Sequence, residues 1–254
     1  MAPGDREEIM RSRSHSLGFM HRRPGSFVAW LIGSSIAIAA ASAHAADPSH
    51  PTVVELFQSQ GCSSCPPANA NVNALSQRGD VLALSFAVTY WDRLGWKDTF
   101  AKPQFTERQW QYARAMREQD VYTPQVVVNG RVAGVGANPG EIEGLISRAD
   151  RGATGPTVTI SGGSAEIGAA PGHGQAADVL LVRYDPRTLE VSVRRGENAG
   201  KTLPHKNIVR EIVRLGGWNG RAESFSLPAN DPGLGSAILV QATGAGPILA
   251  ATKQ

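Results

Sequence analysis

The chain has little cysteine, few aromatic residues and a modest charge: two cysteines, 6% aromatic and 19% charged residues among 254 positions. Two cysteines are too few for the dense disulfide scaffold of a small secreted domain. The hydrophobic content of 41% is that of an ordinary globular protein, which excludes wholesale disorder and a multi-span membrane protein. The length suggests one large domain or two small ones.

Long runs of Lys and Arg are also absent, although the net charge of +3 and the pI of about 9.1 first suggest a nucleic-acid or membrane-surface protein. Residues 1–45 hold five arginines against three acidic residues, so the rest of the chain carries a net charge of about +1. This charge is too small for binding driven by counterion release. We therefore expect no nucleic-acid partner.

Residues 20–45 are typical of a secretory signal peptide. Positive residues precede an apolar stretch at 27–41, and Ala43-His44-Ala45 fits the small-x-small cleavage pattern. The alternative, an N-terminal anchor helix, needs ~20 apolar residues, and the stretch is shorter. We expect cleavage near Ala45, a periplasmic or secreted location that permits a disulfide, and no stable membrane insertion after cleavage.

Strand and helix patterns alternate over residues 46–152. The predicted elements are strands 52–57 and 81–88, helices 66–78 and 103–119, a hairpin of 125–128 with 131–133, and a helix at 141–149. The pair Asn129-Gly130 supplies the two positive φ angles that a tight hairpin turn needs. The order β-α-β-α-β-β-α predicts an α/β domain.

Residues 153–254 have a different texture, with short strand patterns separated by Gly, Pro and Asp. Strands are predicted at 157–160, 177–184, 189–194 and 237–242, and 207–215 fits either a strand or a short helix. This half is predicted to be a smaller antiparallel β-rich domain, a sandwich or a sheet packed on the first domain. Residues 196–200 are interpreted as a turn.

The motif Cys62-Ser63-Ser64-Cys65 lies between a predicted strand and a predicted helix. The start of a helix stabilises a thiolate and lowers its pKa. Pro66 and Pro67 fit the first helical turn, where a missing N–H costs little. Cys62 is then expected to be the exposed attacking thiolate, and Cys65 the resolving thiol that closes the disulfide.

The same motif is compatible with half of a zinc site or with a static clip that holds a loop. A zinc site is disfavoured because the chain has no second CxxC, and His50, His173 and His205 are scattered.

The run Val53-Val54-Glu55-Leu56-Phe57 before the cysteines resembles the active-site strand of thioredoxins and periplasmic disulfide oxidoreductases. The stretch 55–67 is more similar still to a bacterial family of exported thioredoxin-like proteins classed as a domain of unknown function. The resemblance includes Tyr90-Trp91-Asp92, Tyr122-Thr123-Pro124-Gln125 and Leu203-Pro204-His205, and covers nearly all of the chain after residue 45. It implies a thioredoxin-like fold, and the family has no settled activity.

The resemblance also implies roles for single residues. Pro124 would be a cis-proline beside the cysteines, where the Thr123-Pro124 segment helps to bind the partner's extended chain. Glu55 would be the buried acid beneath the disulfide, with a pKa raised by an apolar setting, and would accept the proton of Cys65. The alternative for Glu55 is an ordinary glutamate in a salt bridge. Compared with a minimal thioredoxin, the chain has an insertion at 91–105.

Loops at the carboxyl ends of parallel strands share one rim of a sheet, so Trp91 and Asp92 should lie near Cys62. Trp91 and Trp96 would line a peptide site or pack beneath the insertion, and Asp92 would tune the thiol. If the second half folds over this rim, His205 would stabilise the Cys62 thiolate, although a lone histidine is more often structural.

Three functions follow from these observations. The leading hypothesis is an exported thiol–disulfide oxidoreductase that acts on protein thiols and disulfides, uses a redox partner and has no bound cofactor. The second is a non-enzymatic module that holds a soft metal such as Cu(I) through Cys62 and Cys65, with or without His205. The third is an interaction scaffold whose disulfide is structural. The sequence specifies no oligomeric state.

Overall fold

The computed structural model of the chain describes residues 46–172 and 175–254, which belong to one compact unit, Ser42–Gln254. The predicted signal peptide at 20–45 and His173 lie outside the described residues. None of the helices within the described ranges is long and apolar enough to cross a membrane.

The first half has the predicted order β-α-β-α-β-β-α, with one short 3-10 helix added. Its elements are β1 (Thr52–Gln58), α1 (Cys65–Leu75), β2 (Val81–Ala87), the 3-10 helix (Asp92–Leu94), α2 (Pro103–Met116), β3 (Gln125–Val128), β4 (Val132–Gly134) and α3 (Pro139–Ala149). Helix α2 ends earlier than predicted because Arg117 adopts a left-handed φ of 59°.

The second half, where described, contains strands and no helix. They are β5 (Val158–Ser161), β6 (Ser164–Ile167), β7 (Ala177–Asp185), β8 (Leu189–Ser192), β9 (Thr202–His205), β10 (Ile208–Trp218), β11 (Glu223–Ser226), β12 (Gly235–Ala242) and β13 (Ile248–Lys253). The segment predicted at 207–215 as either a strand or a short helix is therefore a strand from Ile208 onward.

Eight strands form the main sheet, in the order β13-β12-β7-β10-β2-β1-β3-β4. Strands β1 and β2 are parallel, whereas β3 is antiparallel to β1 and β4 is antiparallel to β3. Strands β5, β6 and β11 form a small antiparallel sheet, and β8 and β9 form a two-stranded hairpin.

The antiparallel β region predicted for the second half is present, but four of its strands extend the sheet of the first half. Strand β10 runs parallel to β2, where Ile208 pairs with Ser85, and the Asn207 side chain donates to the Ala83 carbonyl at 2.8 Å. The expectation of a packed sheet is met in part: the small sheet of β5, β6 and β11 shares a core with β7 and β12 of the main sheet, whereas β7, β10, β12 and β13 continue the sheet of the first half. The sequence pattern changes near residue 152 because most of the strands before it are joined by helices, whereas those after it are joined by turns and loops. Strands from both halves contribute to one sheet.

The two faces of β1 pack against different helices because successive side chains of a strand alternate. Val54 and Leu56 pack with residues of α1 and α3. Val53 and Phe57 lie on the other face, in a core that contains residues of α2 and of strands from the second half. Glu55 follows the same alternation and therefore faces α2.

Glu55 lies in a buried polar network on that face. Arg108 of α2 donates from Nε to Glu55 Oε1 at 2.7 Å and from Nη2 to Glu55 Oε2 at 3.0 Å. The Tyr112 hydroxyl also donates to Glu55, and Gln241 of β12 accepts from Arg108 Nη2 at 3.2 Å. The prediction of an apolar setting for Glu55 is therefore wrong, and the alternative of a salt bridge is confirmed.

The predicted hairpin turn at Asn129-Gly130 is confirmed, with φ angles of 49° and 61°. The Asn129 side chain is fully buried and has a further role: its Oδ1 accepts from the Val53 N–H at 2.9 Å, and its Nδ2 donates to the Ala149 carbonyl at 3.0 Å. This residue therefore fixes both the turn and the position of α3 against β1.

We predict that Arg108→Met lowers the free energy of unfolding by about 3–5 kcal/mol, since it leaves the Glu55 carboxylate buried without its cation. Arg114→Met is the matched control on the same helix. Its exposed pair with Glu107 should contribute less than about 1 kcal/mol. Urea unfolding of both variants measures the difference, and equal costs would contradict a structural role for the buried pair.

Candidate functional site

Three segments meet at one edge of the main sheet. Gln58 at the end of β1 pairs with Ala87 at the end of β2, so the chain leaves both parallel strands at the same edge. Gln125, which begins the antiparallel β3, pairs with Phe57. This register brings together the cysteine loop (residues 59–65), the predicted insertion at 91–105, which we call the insert, and the segment Thr123-Pro124 that precedes β3.

Cys62 and Cys65 form a disulfide at the start of α1. Pro66 and Pro67 occupy the first helical positions, as predicted. Both cysteines are buried, with exposures of 0% and 1%, so the prediction of an exposed Cys62 is wrong. Cys62 Sγ lies within hydrogen-bond distance of Ser64 Oγ, at 3.3 Å.

The Thr123–Pro124 peptide bond is cis, as the resemblance implies, and the segment lies against the cysteine loop. Ser64 Oγ donates to the Thr123 carbonyl at 3.5 Å, and Trp91 Nε1 donates to Thr123 Oγ1 at 2.7 Å. A Cβ atom on Gly61 would lie 3.4 Å from Trp91 Cβ, so the tryptophan also packs against the cysteine loop. Trp91 therefore joins the two segments.

The insert is tied to the cysteine loop through Asp98 and Gln60. Asp98 Oδ2 accepts from the Gln60 N–H at 2.7 Å, and Trp96 Nε1 donates to Gln60 Oε1 at 2.9 Å. Burial raises the pKa of Asp98 to about 6, against the backbone hydrogen bonds that lower it. Asp92 Oδ1 accepts from the Asp98 N–H at 3.1 Å, so its described contact is within the insert and does not support tuning of the thiol.

The turn at the end of the β8–β9 hairpin, residues 196–200, lies on the cysteine loop, and we name it the cover turn. Asn198 Nδ2 donates to the Gln60 carbonyl at 3.0 Å and to the Cys62 carbonyl at 2.8 Å. Glu197 Oε2 accepts from the Ser63 N–H at 3.1 Å and from Ser63 Oγ at 2.6 Å. These bonds lower the pKa of Glu197.

Sequence reasoning missed Asp98, Glu197 and Asn198. Asn198 and its acceptor Gln60 are 138 residues apart. Local patterns of glycine and polar residues identify a turn, but they carry no information about which distant loop the turn contacts.

His205, at the end of β9, is 1% exposed, and burial lowers its pKa to about 4. Burial therefore favours the neutral imidazole at pH 7, and no contact between His205 and Cys62 is described, so the predicted stabilisation of the Cys62 thiolate gains no support here. Its ring packs edge-on against Phe100 with the ring centroids 5.6 Å apart. Neither ring nitrogen has a hydrogen-bond partner in the described part of the chain.

Among the described residues, the fold brings no further His, Cys, Asp or Glu ligand to the two cysteines that would support a soft-metal site. Over residues 46–172 and 175–254, no group of three or more His, Cys, Asp or Glu side chains is arranged to hold a metal ion.

Known proteins match a stretch of this chain that includes all the site residues described above. A family model described as "Protein of unknown function (DUF1223)" matches residues 53–241. The crystal structure of an Agrobacterium tumefaciens protein, a structural genomics target, is 32% identical, with a TM-score of 0.65, and the match covers 80% of this chain and 92% of that one. HBP35 of Porphyromonas gingivalis is 13% identical, with a TM-score of 0.53 and coverage of 81% and 75%, and is similar in fold alone. No curated protein matches.

We predict that His205 makes the fold sensitive to acid. Its pKa is about 4 when folded and 6.5 when unfolded, so the unfolded chain binds more protons between these values. Stability is then full above pH 6.5 and falls by about 3 kcal/mol as the pH drops to 4. Urea unfolding at several pH values should show that His205→Leu lacks this loss.

The control for this prediction is His50→Gln, which removes a half-buried histidine elsewhere and should keep the loss between pH 6.5 and 4. The same pH profile in the original chain and in His205→Leu would contradict the account of a neutral, buried His205.

Proposed function

The chain belongs to the DUF1223 family, and we propose that in this member the Cys62–Cys65 pair exchanges disulfides with other exported proteins. One observation carries the proposal: the disulfide lies at the start of α1 and faces a cis Thr123–Pro124 segment, which Ser64 contacts directly. A clip that only closes a short loop has no need of a second segment positioned in this way.

The assignment includes a thioredoxin-like fold for residues 52–149. Two features support it: the order β-α-β-α-β-β-α, and the strand order β2-β1-β3-β4 with only the first pair parallel. Export is proposed from residues 20–45, and it would deliver the pair to a compartment where a disulfide persists.

The reaction is a reversible thiol–disulfide exchange. In one direction a substrate thiolate attacks Cys62 Sγ; the Cys62–Cys65 bond breaks, a mixed disulfide forms, and Cys65 leaves as a thiolate. A second substrate thiolate then attacks the substrate sulfur of the mixed disulfide and releases Cys62. Two electrons pass from the substrate dithiol to the pair, and the two protons of the substrate thiols end on Cys62 and Cys65 or in solvent.

The residues around the disulfide would support these steps in different ways. The positive end of α1 favours the thiolate form of a cysteine at its first turn. Ser64 Oγ is close enough to donate to Cys62 Sγ when that sulfur carries negative charge. The turnover cycle requires a redox partner, a second thiol or disulfide protein, to restore the starting state of the pair.

A second candidate function, an interaction scaffold with a structural disulfide, is favoured by one observation: both cysteines are almost completely buried. Buried cysteines in an apolar setting are usually inert. The two candidates differ in whether Cys62 can be captured by a protein substrate under native conditions.

We predict that Cys65→Ser accumulates a mixed disulfide through Cys62 when mixed with an unfolded protein that carries one disulfide, because no resolving thiol is left. Cys62→Ser is the matched control, since it also lacks the native disulfide but lacks the attacking thiol as well. Intact mass spectrometry measures both adducts. An adduct no more abundant in Cys65→Ser than in Cys62→Ser would support the structural disulfide instead.

A further inference from the structure

The hairpin that carries the cover turn is separate from the eight-stranded sheet. Strands β8 and β9 pair only with each other in the described part of the chain. An isolated two-stranded hairpin is marginally stable and depends on its contacts with the rest of the fold. The base of this hairpin is attached to α1, where Asn73 donates to the Pro204 carbonyl at 3.2 Å and accepts from the Lys206 N–H at 3.2 Å.

The cover turn keeps its shape through bonds of its own. The Gly200 N–H donates to the Val193 carbonyl at 2.8 Å, the Lys201 N–H donates to the Asn198 carbonyl at 3.1 Å, and Lys201 Nζ donates to Asn198 Oδ1 at 3.0 Å. Gly196 and Gly200 flank the turn with φ angles of 78° and 83°, which favour glycine. The turn is therefore a preformed unit on an anchored base.

The described contacts between the cover turn and the cysteine loop are hydrogen bonds. It consists of the four described hydrogen bonds of Glu197 and Asn198, and Asn198 is the only residue of the turn that is buried. Glu197 is exposed, so water competes for its bonds with Ser63.

The buried apolar residues of the hairpin, Val193 and Leu203, lie outside the turn, and within the turn the one described approach to an apolar side chain is that of Gly196 to Trp96. Opening of the turn alone therefore costs less than opening of the core beneath it.

We propose that the cover turn is a removable lid over the Cys62–Cys65 disulfide, and that an extended polypeptide segment displaces it. Opening would free the Ser63 N–H and the carbonyls of Gln60 and Cys62 from the cover turn, which makes one donor and two acceptors accessible along the loop backbone. The main-chain groups of an extended segment can replace the side chains of Glu197 and Asn198 at these positions. The inference rests on the proposed exchange function and specifies its substrate class.

The lid also explains how a disulfide can be buried and still react. In the closed state Cys62 is 0% exposed, so a small thiol compound reaches the sulfur only during transient opening. An extended protein chain makes additional bonds with the freed backbone and therefore stabilises the open state. The population of the open state, and not the chemistry of the sulfur alone, would then set the rate of exchange.

The test measures alkylation of Cys62 by iodoacetamide in the full chain with Cys65→Ser, where Cys62 is the only thiol. Asn198→Ala should raise the alkylation rate about tenfold, because it removes both hydrogen bonds that the buried amide donates to the cysteine loop. Glu197→Ala should raise the alkylation rate about threefold. Because Glu197 is exposed, this substitution leaves the fold intact. The controls are Asn230→Ala and Glu190→Ala, exposed residues outside the cover turn, which should leave the rate unchanged.

Equal rates in all five chains, or a rate in the parent chain equal to that of the urea-unfolded chain, would overturn the lid. Alkylation does not require exchange with a protein, so the two proposals can fail separately. If the Asn198 and Glu197 variants react faster while Cys62 still captures no protein substrate, the lid stands and the proposed function fails.

Discussion

The parallel pairing of β1 with β2 is the constraint on which the candidate site depends. Because both strands end at the same edge, the cysteine loop and the insert start side by side, and the antiparallel β3 brings Thr123-Pro124 to that edge as well. The same strand separates the helices, with α1 on one face and α2 on the other. A slip of one residue in this register would exchange the two faces and turn Glu55 away from Arg108.

The features that follow from local chemistry could be predicted from the sequence. Asn129-Gly130 specifies its turn because few other pairs accept two positive φ angles, and Pro66 and Pro67 mark the start of α1. The position of Pro124 was identified through the resemblance. The order β-α-β-α-β-β-α of the first half follows from hydrophobic periodicity, because strand alternation and helical spacing can be recognised over short windows.

The features that depend on distant parts of the chain could not be predicted in the same way. Glu55 was placed beneath the disulfide by analogy, yet the alternation of β1 directs it to α2, where Arg108 is 53 residues away. The residues around His205 in the sequence suggest a functional site. Only the folded structure shows that His205 is buried and that burial lowers its pKa. Asn198 is one polar residue among several in a glycine-flanked turn, and its partners are known only from the folded chain.

The polar residues around the cysteine loop form a rigid support on one side and a weak contact on the other. Asp98 and Trp96 hold the loop from the insert with direct hydrogen bonds to Gln60, one of them to a buried carboxylate, and Trp91 packs against Gly61. The cover turn adds bonds to the same stretch of backbone from an exposed hairpin. This asymmetry allows the sulfurs to be shielded from water and small reagents without fixing them permanently in the core.

The central claim is that the buried Cys62–Cys65 pair exchanges with other proteins. The most direct test is its reduction potential, measured by equilibrating the full chain with glutathione buffers of known ratio and counting free thiols by mass. The account predicts a value between about −270 and −120 mV, the range of proteins that exchange disulfides. A value below about −300 mV, typical of structural disulfides, would contradict it.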